Sequence, residues 1–78
     1  MGRLIFLRNL GVYVWDERAS PHHLPHAHVC RRGQRLASIF LVSLEVFNEV
    51  ERLPADLLDE IRARQDALLT EWMRLNGD

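Results

Sequence analysis

Apolar and polar positions alternate in the first half of the chain and fall on a helical stripe in the last third. Leu4 to Arg8 is a short, mainly apolar run closed by Asn9-Leu10-Gly11, a turn signal. Val12-Tyr13-Val14-Trp15 is β-branched or aromatic throughout and predicts a strand. Asp16 to Pro25 is polar and punctuated by proline, so it reads as loop. His26 to Arg31 reads as a second strand, Arg32-Gly33-Gln34 as a tight turn, and Arg35 to Val42 as the returning arm of a hairpin. The nearly unbroken apolar run Leu36–Val42 predicts the central strand. Leu44-Glu45-Val46-Phe47 either continues the sheet after a turn near Ser43 or begins a connection, because no Gly or Pro marks a break.

Leu53-Pro54 opens a helix, since proline at the first turn loses no intrahelical hydrogen bond. Asp56, Asp59 and Glu60 crowd its start and Arg74 lies near its end, as the helix dipole favours. Leu57, Leu58, Ile61, Leu68, Leu69, Trp72 and Leu75 share one stripe, with Gln65 its polar gap and Gly77 its stop. That stripe is expected to pack on a sheet, with Trp72 as a core anchor. The expected fold is one α+β domain over residues 1–78: a small antiparallel sheet of three to four strands against one long C-terminal helix.

Composition narrows the class. At 78 residues the core is only just large enough to stand alone, so an oligomer such as a homodimer, a metal or a partner protein would add stability. No apolar run is long enough to span a membrane, and the short Met1–Leu7 run has no small-residue cleavage site. Cys30 is the sole cysteine, which excludes an intrachain disulfide and fits a reducing cytoplasm. As a small strand residue with no base placed beside it by sequence, Cys30 is not expected to be a nucleophile. Net charge is −1, yet six arginines face only Asp16 and Glu17 in residues 1–35, while four face nine acids in residues 36–78. A basic and an acidic half fit either a nucleic-acid face with a partner face or two solvated surfaces of opposite sign. The cations are all arginine, which favours planar, forked anion contacts.

The chemistry concentrates in Pro21-His22-His23-Leu24-Pro25-His26-Ala27-His28-Val29, which holds all four histidines and two of the three prolines. Strand alternation puts His26 and His28 on one face and Ala27 and Val29 on the other. With Val12 and Val14 turned to the helix, Tyr13 and Trp15 join the histidines on the open face. Phe40 joins them if Ala37, Ile39 and Leu41 are the buried set. Such a patch points to a binding surface.

Three uses of the cluster compete. A His-x-His pair on a strand can chelate an ion, with His22 or His23 and Asp16 or Glu17 in reach, although the spacing matches no finger or ribbon. Two histidines beside Arg31, Arg32 and Arg35 can instead cleave RNA without metal, one taking the 2′-hydroxyl proton and one protonating the leaving oxygen. Tyr13 could assist, and the arginines would hold phosphate. Or the imidazoles bond to loop backbone and simply fix the approach to the strand.

The order of features resembles the domain-of-unknown-function 4160 family. The pieces that carry the likeness are Val12-Tyr13-Val14-Trp15-Asp16, Pro25-His26-Ala27-His28-Val29, Leu53-Pro54 and Leu69 to Trp72. The likeness spans roughly residues 10–75, and the Pro-His-x-His-Val block is its specific part. Family members carry Pro-Pro before the first histidine and an aromatic between the two; Leu24-Pro25 and Ala27 stand here. The resemblance implies a cytoplasmic bacterial or phage-borne protein, the toxin-like member of a two-gene toxin–antitoxin module; joined to the histidine cluster, the expected action is on RNA or translation. A cognate small antitoxin is the implied partner. The expected catalytic group is His26, His28 and Tyr13; the expected binding group is Arg31, Arg32, Arg35, Trp15, His22 and His23; no cofactor or resident metal is expected. The competing class is a non-catalytic protein-binding module, of antitoxin or inhibitor type, that uses the aromatic sheet face or the acidic helix.

Overall fold

The structure, a computed structural model, describes residues 2–15 and 24–77, with side chains in the first strand from Ile5 onward. The strands β1 (Gly2–Leu7), β2 (Leu10–Val14), β3 (His26–Arg31), β4 (Gln34–Phe40) and β5 (Val46–Phe47) form one antiparallel meander in chain order. The helices α1 (Ala55–Ala63) and α2 (Gln65–Asn76) follow. The α+β class and antiparallel sheet agree with the sequence reading. The sheet has five strands rather than three to four, and the helical segment is two helices rather than one.

Two hairpins close through two-residue turns with left-handed backbone at both central positions. Arg8 and Asn9 have φ of 52° and 67°, and Arg32 and Gly33 have 52° and 80°. Such turns match the right-handed twist of the flanking strands, so Leu7 pairs Leu10 and Arg31 pairs Gln34. The turn after β4 uses Leu44 at φ 65°, with its N–H bonded to the Phe40 carbonyl at 2.8 Å. An apolar residue does there what glycine usually does, which is why the sequence showed no break. β4 ends at Phe40, two residues short of the predicted Val42; Leu41 is buried and Val42 is exposed.

One sheet face is the core. Ile5, Val12, Val14, Ala27, Val29, Ala37 and Ile39 pack against Leu57, Ile61, Leu68 and Trp72. Leu58, Leu69 and Leu75 lie partly buried at the margin of this stripe. The backbone leaves helical geometry at Arg64 (φ −112°, ψ 20°), which separates α1 from α2. The next residue, Gln65, donates from its side-chain amide to the carbonyls of Leu41 (2.6 Å) and Val42 (3.1 Å). The polar gap in the stripe is therefore the group that satisfies carbonyls just past the end of β4. Gln65→Leu fills similar volume but leaves the Leu41 carbonyl without this donor. It is expected to lower unfolding free energy by about 1–3 kcal/mol, read from urea denaturation.

Among the described residues, no helix is long and apolar enough to cross a membrane.

Candidate functional site

The face of the sheet away from the helices carries the chemistry. Register sets Tyr13, His28, Ser38 and Phe47 in one row across β2 to β5. Trp15 stacks on the His28 ring at 4.2 Å between centroids and 20° between planes. His26 stands edge-on to His28 at 5.1 Å and to Phe47 at 6.0 Å. Phe40 stacks on Phe47 at 4.1 Å, and Tyr13 lies 6.3 Å from Trp15. The aromatic rings and both strand imidazoles thus make one continuous series of ring contacts, in which His28 is half-buried and His26 is buried at 6% exposure.

Gly11 holds this surface in shape. A Cβ at that position would lie 2.6 Å from the Tyr13 ring, so the phenol covers the bare glycine. Gly11→Ala therefore pushes the phenol off its seat. The expected result is altered near-ultraviolet circular dichroism from the displaced Tyr13, with a stability change under about 1 kcal/mol because the ring end can swing aside.

Hydrogen bonds fix both imidazoles. His26 Nδ1 donates to the Leu24 carbonyl at 2.7 Å, which ties the chain entering β3 to the ring. His28 Nδ1 lies 3.2 Å from the Ser38 hydroxyl, and the Arg35 guanidinium donates to that hydroxyl at 3.5 Å. Ser38 is 1% exposed. Sequence reasoning missed it, although the His28–Ser38 pairing follows from the hairpin register. Phe47 was missed because its segment showed no clear strand signal.

The arginines of the expected binding group separate. Arg35 reaches the open face through Ser38. Arg32 is exposed at the turn tip. Arg31 pairs with Leu10 in the register and so alternates to the helix side of the sheet. There its guanidinium makes a two-pronged contact with Glu51 at 2.7 and 3.2 Å. Hydrogen bonding from Arg31, and then its charge, hold the Glu51 carboxyl below its usual range, and the same contact raises Arg31. The stabilisation from this pair is present at neutral pH and fades as acid protonates Glu51; with both side chains about half exposed, it is also screened by salt. His22 and His23 lie outside the described residues, as do Asp16 and Glu17.

Cys30 sits on the same face, opposite Arg35 in the register. Burial pushes its thiol up, with Arg35 offsetting part of the rise, so it stays protonated and unreactive at neutral pH. Among the described residues, no group of three or more His, Cys, Asp or Glu is arranged to hold a metal ion. Beside Phe40 the face runs into an apolar cleft of about 280 Å³ lined by Leu24, Pro25, Phe40, Val42, Ser43 and Glu45.

Compared with family models, curated proteins and solved structures, the chain matches none.

Proposed function

We propose that this chain is the toxin-like member of a two-gene module and engages single-stranded RNA on its open sheet face. The observation that carries the reading is the continuous series of ring contacts through Trp15, His28, His26, Phe47 and Phe40, with Arg35 beside it. Flat rings on an open sheet suit unstacked bases, and an adjacent guanidinium suits phosphate. Two imidazoles within that surface add proton-transfer capacity near neutral pH. RNA supplies its own nucleophile. A 2′-hydroxyl that gives its proton to an imidazole bonds to the neighbouring phosphorus, the P–O5′ bond breaks, and the departing oxygen takes up a proton. In this reading His26 and His28 carry the proton transfers, and Tyr13 lies in the same row as His28.

Trp15 is a built-in reporter, since a base laid against the Trp15–His28 stack changes indole emission. Titrating the protein with a short unstructured RNA at low salt is expected to quench its fluorescence saturably, and Trp15→Phe is expected to remove most of the signal. No change with RNA would count against the reading.

A second reading is favoured by the apolar cleft. Leu24 is 64% and Val42 69% exposed at its rim, as suits a surface that docks a protein partner without catalysis. Under that reading Leu24→Asp blocks partner capture while histidine substitutions leave it unchanged.

A further inference from the structure

Asn76 and Gly77 each meet a structural demand at the end of α2, and together they make a reactive dipeptide. Asn76 closes the helix, and its side-chain amide donates to the carbonyls of Trp15 (2.9 Å) and Trp72 (3.1 Å). The last turn of α2 is thereby tied to the residue that follows β2. Gly77 takes extended backbone (φ −85°, ψ 164°) and donates its N–H to the Met73 carbonyl at 2.7 Å. A Cβ there would lie 2.6 Å from that same oxygen, so close approach, rather than backbone angle, calls for glycine. An asparagine followed by glycine is the pairing most open to deamidation, because no side chain shields the glycine nitrogen and the backbone turns freely. The other two asparagines, Asn9 and Asn48, are followed by Leu10 and Glu49.

We propose that Asn76 is a spontaneous deamidation site, held shut by the tie between α2 and the end of β2 and opened when that tie breaks. The Gly77 backbone nitrogen bonds to Asn76 Cγ as the Cγ–Nδ2 bond breaks. The proton of Gly77 leaves with the side-chain nitrogen as ammonia, and a five-membered imide remains. Water then opens one of the two imide C–N bonds, giving aspartate at 76 or its isoaspartyl isomer. No electrons change hands, and water is the only co-reactant. The native arrangement opposes the first step in three ways. The Gly77 N–H is engaged by the Met73 carbonyl, and the Asn76 amide is engaged by two carbonyls. A helical side chain also leans toward the helix N-terminus, away from the next backbone nitrogen. The product cannot remake the tie. A carboxylate only accepts, so it faces two carbonyl oxygens with no proton between them. It also adds negative charge at the C-terminal end of the helix, where the dipole disfavours it. Deamidation therefore releases the end of α2 from Trp15, the residue that stacks on His28.

The experiment incubates the whole chain in mildly alkaline buffer, folded in one arm and unfolded by urea in the other, and localises the gain in mass by peptide mapping. The unfolded chain is expected to deamidate at Asn76 well ahead of Asn9 and Asn48. In the folded chain Asn76 is expected to react about tenfold more slowly, or slower still, because only the opened state reacts. The Gly77 N–H is expected to exchange with deuterated solvent more slowly by a similar factor, since one opening exposes both groups. Asn76→Asp, the direct product, is expected to lose the Gly77 protection and to shift the Trp15 signals in the amide spectrum, while amides in β2 and β3 stay protected. Equal rates at Asn76 in the folded and unfolded chain would overturn the proposal. So would a folded Asn76→Asp that keeps the Gly77 protection and leaves the Trp15 signals in place. The rate comparison uses no variant, so it does not depend on how Asn76→Asp folds.

Discussion

Ile61→Ala is expected to cost about 2–5 kcal/mol of unfolding free energy, the range for removing a large aliphatic side chain from a well-packed core. Ile61 is fully buried at the centre of the stripe that joins α1 to the sheet, with Leu57 one turn before it and Leu68 two turns after. A domain of this length has only roughly 4–12 kcal/mol to lose. A loss at the upper end leaves a substantial unfolded fraction at 37 °C. Urea denaturation followed by circular dichroism checks this, and a change under about 1 kcal/mol would mean that the helices are not the lid of the core. Asp59→Ala, on the exposed side of the same helix, is the control and is expected to be near neutral.

Trp15→Ala carries the largest expected effect on binding. The indole covers one face of the His28 ring at 4.2 Å, and its removal takes away both a stacking surface and the ring's lateral support. Base–aromatic stacking contributes about 1–3 kcal/mol per base, so RNA affinity is expected to fall roughly tenfold to a hundredfold. Fluorescence anisotropy of a labelled RNA measures it without relying on the lost indole. Arg35→Gln should weaken binding less and flatten its salt dependence, because one phosphate contact is removed. An affinity unchanged by Trp15→Ala would place RNA, if it binds, on another surface.

Much of the site could be read from strand alternation alone. Once Val12, Val14, Ala27 and Val29 are assigned to the core, Tyr13, Trp15, His26 and His28 must share the other face, and the structure sets them there. Phe40 follows in the same way, since Ala37, Ile39 and Leu41 are buried. What alternation does not carry is long-range pairing. Arg31 looks like one more cation of the histidine segment, yet its carboxylate partner is twenty residues on and on the other side of the sheet. Ser38 looks like an interruption in an apolar strand until the hairpin register sets it opposite His28. The break at Arg64 has no Gly or Pro to announce it, because it accompanies a tertiary tie from Gln65 to the end of β4. The fifth strand was obscured for a related reason: Leu44 adopts left-handed backbone that an apolar residue seldom takes.

Growth of a bacterial host on induced expression tests the central claim most directly, with wild type beside His26→Ala/His28→Ala and both proteins verified as folded by circular dichroism. His26→Ala removes a buried donor from the Leu24 carbonyl, so His28→Gln alone is carried alongside as the milder change. The account predicts arrest by wild type and recovery of growth with the folded variants. No arrest by wild type, or arrest that the folded variants reproduce in full, would contradict a histidine-centred toxin and return both imidazoles to holding the loop on the sheet.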